Sequence, residues 1–162
     1  EAKLMSYNIR YDNPADGTNN WHERKQDVVR LLDYYQPGVF GLQEGLVHQL
    51  EFIAEELEDY TYIGVGRDDG KAKGEFAAIF YDTTLYEWID GGTFWLSETP
   101  DVISVGWDAS MERICTFAKF RDKKGKNVFW VFEIDSLNVS NCLPIRFWNK
   151  AGYFFVPVYY NF

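Results

Sequence analysis

The sequence predicts an α/β protein with a mixed sheet, and three observations carry that prediction. Short apolar strands alternate with amphipathic helical stretches over the first half, the helical period disappears after Tyr86, and 162 residues suffice for one domain with a real core.

Lys3 to Ile9 alternates and is rich in strand formers, so it reads as the first strand. "YDNPADGTNN" follows as turn chemistry, with Asn, Asp, Pro and Gly crowded together. Asn20 precedes "WHERKQDVVRLLDYYQ", and Glu23 stands where a capping box needs it. Trp21, Val28, Leu31, Leu32 and Tyr35 share one helical face, and Pro37 with Gly38 stops the helix. Val39 to Gln43 is a short apolar strand. Leu46 to Leu57 is a second helix, with Leu46, Leu50, Ile53, Ala54 and Leu57 at helical spacing and glutamates turned to water. Tyr60 to Val65 and Phe76 to Tyr81 read as strands around the polar loop "GRDDGKAKGE". "LYEWIDGGTFWLSE", "ERICTFAKFRD" and "NVFWVFEI" are further strands, the last two joined by a "DKKGK" hairpin turn.

A net charge of -9 opposes an electrostatic grip on phosphate backbones, which depends on clustered Lys and Arg. Aromatic content of 19% favours a packed domain over disorder. Cys115 and Cys142 make neither a disulfide framework nor a metal-ligand spacing. The opening residues lack a basic region followed by an apolar stretch, and no run is long and apolar enough to span a bilayer.

"VFGLQEG" poses the chemical question. Its apolar run ends in Gln43 and Glu44, and a carboxylate at the tip of a buried strand is costly unless a positive partner meets it. Ligands of open α/β sheets collect beyond the carboxyl ends of the strands, where Asn8 and Glu44 both fall. If their strands are neighbours, amide and carboxylate share one rim, and a hard cation would neutralise Glu44, since Mg²⁺ often needs only one or two carboxylates. The competing reading makes Glu44 a cap of the second helix.

"LMSYNIRYDN", followed by "DVVRLLDYYQPGVFGLQEG", resembles the opening of the endonuclease/exonuclease/phosphatase superfamily, the metal-dependent phosphoesterases related to deoxyribonuclease I. "GEFAAIFYD", "GTFWLSETPDV", "GWDASMERICTFAKF" and "KNVFWVF" extend the resemblance over roughly residues 1 to 132, most closely to a bacterial subgroup. The resemblance implies a deoxyribonuclease I-like α/β sandwich, Glu44 as the ligand of Mg²⁺ (or Mn²⁺), and Asn8 and Arg113 as further catalytic residues. It also implies metal-assisted phosphoester hydrolysis, with an aspartate-held histidine working on water.

The second half departs from that pattern. Where the family reads Asn-Thr-His-x-Asp-His, this chain reads "EIDSLNVSNCLPIRFWNKAGYFFVPVYYNF". Its two histidines, His22 and His48, lie on predicted helices and match no catalytic position; Asp135 falls near the place of the histidine and cannot replace an imidazole. Residues 1–133 are therefore read as the N-terminal half of the domain and 134–162 as a divergent aromatic tail. Its abrupt composition predicts a truncated, frame-shifted or spliced end, or else a variant tail pairing over the sheet. With about one mixed sheet and its helices, one sheet face would lack a partner and favour self-association.

Two functions follow: a phosphoester hydrolase by descent, impaired because its downstream His, Asp and Asn are missing, or a catalytically dead remnant that binds a partner. Acidity favours a phosphorylated small molecule or lipid-like phosphate over long nucleic acid. The protein is expected to be soluble, in the bacterial cytoplasm, or in the periplasm or secreted if a leader has been removed.

The remaining clusters take plainer readings. Trp95, Trp107 and Trp130 are expected in core or rim packing, because stacking platforms pair rings with basic grooves. "GRDDGKAKGE" is expected to be a mobile connection, with Asp68 and Asp69 solvated and Lys71 and Lys73 facing the rim at most. Asn138 opens a chance glycosylation motif.

Overall fold

The computed structural model describes residues 3–107, 109–125, 127–134 and 153–155, the last of these as backbone. In chain order come β1 (Leu4–Asn8), a short 3-10 segment (Pro14–Asn19), α1 (Trp21–Tyr35), β2 (Val39–Gly45), α2 (Val47–Glu56), β3 (Tyr60–Ile63), β4 (Phe76–Asp82), β5 (Tyr86–Trp95), β6 (Ile114–Asp122), β7 (Val128–Ile134) and β8 (Tyr153–Phe155).

α1 begins where its cap chemistry places it. The Asn20 side-chain oxygen accepts from the Glu23 N–H at 3.2 Å, satisfying one of the free donors of the first turn. Asn20→Ala is expected to lower stability by about 1 kcal/mol, read as a fall in urea midpoint at constant slope. The helix ends at Tyr35, the last residue of its apolar face, because Gln36 adopts the left-handed conformation ahead of Pro37.

Two four-stranded sheets form, ordered β1-β2-β4-β3 and β5-β6-β7-β8. β1 and β2 run parallel, as the connecting helix requires, while β4 lies antiparallel to both β2 and β3. The second sheet is antiparallel apart from β8, which runs parallel to β7. Here the architecture corrects the expectation of about one mixed sheet. β5, β6 and β7 form a separate layer, which covers the face expected to lack a partner.

The two faces of β2 and β4 follow period two. Phe40, Leu42, Ala78 and Phe80 pack under the helices with Val28, Leu32, Leu50 and Ile53. Val39, Ile79 and Tyr81 meet Ala118, Phe120, Phe129 and Val131 of the second sheet. Both layers are dry and aromatic: Phe40 stacks on Phe80 with ring centroids 4.9 Å apart, and Tyr81 meets Phe120 at 4.8 Å. The other face of the second sheet carries the ring series Phe94, Phe117, Trp130 and Phe132, with neighbours 6.0 to 6.3 Å apart.

The "DKKGK" turn is present, with the Asp122 carboxylate accepting from the backbone N–H groups of Lys124 and Gly125 and held below its usual range by them. Asp135, Cys142, Asn138 and nearly all of the tail lie outside the described residues.

Candidate functional site

Parallel pairing of β1 with β2 sets Asn8 opposite Gln43, so the two strand ends share one rim. The Asn8 side-chain amide donates to Glu44 Oε1 at 2.8 Å, and Asn8 Oδ1 accepts from the Arg10 N–H at 2.8 Å. One asparagine therefore ties the carboxylate to the loop that leaves β1.

Glu44 and Arg10 both hold positive φ, 61° and 58°. Side chains with a Cβ rarely adopt this conformation, and such strain concentrates where a side chain must be aimed. At Glu44 it coincides with a register shift between Leu42 and Gly45. That bulge turns the carboxylate out of the strand's alternation.

The helix-cap reading of Glu44 is corrected. α2 starts after Leu46, whose N–H donates to Gln49 Oε1 at 3.1 Å, so a side chain inside the helix caps its first turn. Gln49, fully buried, also accepts from the Asp12 N–H and donates to the Arg10 carbonyl. It thus clamps the β1 loop onto the β2–α2 turn. The sequence reading missed Gln49, although its place one turn into an apolar helix face was the available signal.

A fork of two hydrogen bonds joins Arg10 to Asp16, Nε to Oδ2 at 3.1 Å and Nη2 to Oδ1 at 3.2 Å. The pairing holds the Asp16 carboxyl below its usual range and raises Arg10, and the Glu44 charge also acts on Arg10. Arg24 donates to the carbonyls of Ile9, Arg10 and Asn19, fixing the loop from below. Asn8, Ile9, Arg10, Asp16, Asn19 and Arg24 line an open depression of about 420 Å³ beside the Asn8–Glu44 pair.

A second carboxylate stands close by in sequence register. Glu133, completely buried on β7, accepts from the Gln43 amide at 2.6 Å, and Gln43 also donates to Ser6 at 3.0 Å. Gly41 leaves the room Glu133 needs, because a Cβ there would fall 1.6 Å from Glu133 Oε2. Period two in "VFWVFEI" puts residue 133 inward with Phe129 and Val131, a signal the sequence reading passed over.

The second sheet brings a connection to the same end of the sandwich. Gly45 pairs with Phe76 at the start of β4, and neighbouring Ala77 packs against Trp95 and Ile114. The β5–β6 connection therefore emerges at the same end as Glu44, and Arg113 sits there with its carbonyl accepting from the Leu96 N–H at 2.7 Å.

Elsewhere, His48 lies half exposed on α2 and meets Asp12 Oδ2 at 2.9 Å, while His22 is exposed. The Gly64–Glu75 loop bonds to itself: the Asp69 carboxylate accepts from the N–H groups of Lys71 and Lys73, and Arg67 forks onto Glu75. Burial, aided by the Glu133 charge, pushes the Cys115 thiol up to about 12, which leaves no thiolate nucleophile there at neutral pH.

No family model matches the chain. Its fold is that of a Bacteroides thetaiotaomicron mannosyl-6-phosphatase at TM-score 0.82 and 42% identity, over 86% of this chain and 54% of that one. An endonuclease/exonuclease/phosphatase from Bacteroides vulgatus follows at TM-score 0.78 and 44% identity, over 81% and 50%. Over the matched part, the chain resembles the endonuclease/exonuclease/phosphatase superfamily in sequence and has its fold. It spans about half the length of these superfamily structures. An uncharacterised mimivirus protein (Acanthamoeba polyphaga mimivirus) is 26% identical over 70% of this chain and 45% of its own. A phosphoesterase-like fold of this superfamily is what the described residues build.

These residues fit a metal of the kind superfamily members generally use. Glu44 Oε2 is buried and has no hydrogen-bond partner among the described residues, although a carboxylate oxygen out of water needs a donor or a cation. Among the described residues no group of three or more His, Cys, Asp or Glu gathers. The donors that Glu44 and Asn8 offer at this rim are oxygens, the type that hard divalent cations accept. No helix among the described residues is long and apolar enough to cross a membrane.

Proposed function

We propose that the chain carries the metal-binding half of a phosphoester hydrolase site, acting on a small phosphorylated molecule. The observation that carries this reading is the buried Glu44 Oε2, which has no hydrogen-bond partner among the described residues, beside an Asn8 amide bound to the same carboxylate.

Glu44 would hold Mg²⁺ (or Mn²⁺), and Asn8 would orient that carboxylate. Bound there, the ion would polarise a phosphoryl oxygen and offset charge on the leaving oxygen. Asn8 keeps one Glu44 oxygen engaged, so the other stays aimed at the rim. Arg10 supplies positive charge next to the depression, while its fork with Asp16 keeps the guanidinium from folding onto Glu44. Arg113, on the connection that emerges at the same end as Glu44, would be a second cation for phosphate oxygens. With a net charge of -9, a small phosphate ester suits this rim better than a long polynucleotide. The similarity to a mannosyl-6-phosphatase supports the same choice.

A second reading, binding without turnover, is favoured by the histidines. His48 faces Asp12 on the surface of α2 and His22 is exposed, so neither stands as the imidazole that the superfamily mechanism uses.

Mn²⁺ titration followed by electron paramagnetic resonance tests the site. The chain is expected to bind Mn²⁺, and Glu44→Gln to weaken it by about tenfold or more. Equal affinity in the variant would remove the basis of the assignment. Sugar phosphate hydrolysis with and without chelator then separates the two readings: chelator-sensitive turnover lost in Glu44→Ala supports the hydrolase, and silence alongside intact metal binding supports the binder.

A further inference from the structure

At the rim, Arg10 and Glu44 are both held at positive φ, 58° and 61°. Neither is glycine, so each conformation is strained and has to be imposed by its surroundings. At Arg10 the imposing contacts can be traced. Its N–H donates to Asn8 Oδ1 at 2.8 Å, while its carbonyl accepts from Gln49 Nε2 at 3.1 Å and from Arg24 Nη2 at 2.7 Å. Both backbone polar groups of Arg10 are therefore pinned.

Gln49 also holds the other strained residue. Its Oε1 accepts from the Asp12 N–H at 3.0 Å and from the Leu46 N–H at 3.1 Å, two residues beyond Glu44. Gly45 between them is pressed onto α2, since a Cβ there would fall 2.7 Å from Leu50 Cδ2. Asn8 Nδ2 meanwhile donates to Glu44 Oε1 at 2.8 Å. Joined end to end, these contacts close a ring. It leaves the Glu44 carboxylate through the Asn8 amide, passes the Arg10 backbone, the Gln49 amide and the Leu46 N–H, and returns along Gly45 to the Glu44 main chain. The side chain of Glu44 is thus tied to its own backbone by hydrogen bonds of 2.8 to 3.1 Å. Capping α2 would use the Leu46 contact alone, whereas the other two bonds of Gln49 reach across to the β1 loop. A neutral amide that is fully buried can do this without the cost of a buried charge.

From this ring we infer that Gln49 is a positioning residue for the metal site, fixing the aim of the Glu44 carboxylate before a cation arrives. The inference rests on the metal-binding reading of Glu44 and adds what sets the affinity. A carboxylate already held in place gives up little side-chain freedom on binding. With the ring cut at Gln49, the strained backbone of Glu44 relaxes and Oε2 loses its fixed aim.

Mn²⁺ titration of the full chain, followed by electron paramagnetic resonance, reads this directly. Gln49→Met keeps the volume but donates nothing and accepts only weakly, and it is expected to raise the Mn²⁺ Kd about tenfold. Ile53→Val, one turn further along the buried face of α2, should lower the urea midpoint and leave the Kd unchanged. His48→Ala cuts only the exposed contact to Asp12, outside the ring, and should change the Kd by less than about twofold. Because Asn8 and Gln49 act through one ring, Gln49→Met should weaken binding less in an Asn8→Ala background than in the unaltered chain. Three results would overturn the inference: an unchanged Kd in Gln49→Met, an equal weakening in Ile53→Val, or fully additive losses at Asn8 and Gln49. Should Gln49→Met fail to fold, Gln49→Asn, whose shorter arm cannot span the Arg10 carbonyl and the Leu46 N–H, answers in its place, and unchanged binding there overturns the inference equally. Glu44→Gln reads the underlying site separately. Weakened binding in Glu44→Gln with unchanged binding in the Gln49 variants removes only this inference, whereas equal binding in Glu44→Gln removes the site itself.

Discussion

Gly41→Ala is expected to destabilise the protein by about 3 kcal/mol, measured by urea unfolding, although glycine to alanine inside a strand ordinarily gains about 0.5 to 1 kcal/mol. The sign reverses because the added Cβ would meet Glu133 Oε2 at 1.6 Å and its carboxyl carbon at 2.5 Å. Glu133 is fully buried between the sheets, so its carboxylate has no water to retreat into. Displacing it also pulls on the 2.6 Å bond to Gln43, the residue next to Glu44. Gly92→Ala is the control, since a Cβ there finds only the Phe117 ring at an ordinary 3.7 Å. In a Glu133→Ala background the cost of Gly41→Ala should shrink below about 1 kcal/mol. Equal effects at positions 41 and 92 would sink the steric account.

The second large effect is expected at Phe80, where alanine should cost about 4 kcal/mol. Phe80 is fully buried on β4 beneath the helices, stacked on Phe40 at 4.9 Å and on Tyr62 at 5.1 Å. Truncation removes both stacking contacts and leaves a ring-sized void that rigid strands on either side do not close. Tyr34→Ala is the contrast: its ring is 80% exposed on α1, and its loss should stay within about 0.5 kcal/mol. A thermal scan that gave the two variants similar Tm values would contradict the packing described for this layer.

The elements legible in the sequence were those whose signal is local. Asn20 with Glu23 marked the start of α1, Pro37 with Gly38 its end, and Asp122 the hairpin turn, because each works through backbone groups a few residues away. Asn8 and Glu44 were legible for a different reason, since residues closing parallel strands are brought to one rim by topology alone. The choice between metal ligand and helix cap for Glu44 was left open by the sequence, because the Leu46 N–H is satisfied by Gln49, a contact visible only in the folded chain. Trp107 was read as packing and is instead 64% exposed, because composition does not report which way a side chain at positive φ faces.

Amino-acid order by itself determined the strand and helix types, the α/β class, the net acidity and the placing of an amide and a carboxylate at the ends of two strands. Local hydrogen bonding and side-chain period write these directly into the chain. Only the tertiary structure decided that β5, β6 and β7 make a second sheet closing the first, that Glu133 reaches Gln43 across the gap over Gly41, and that one Glu44 oxygen is buried with no partner among the described residues. Each of these is a contact between residues far apart in sequence, created when two surfaces exclude water from between them.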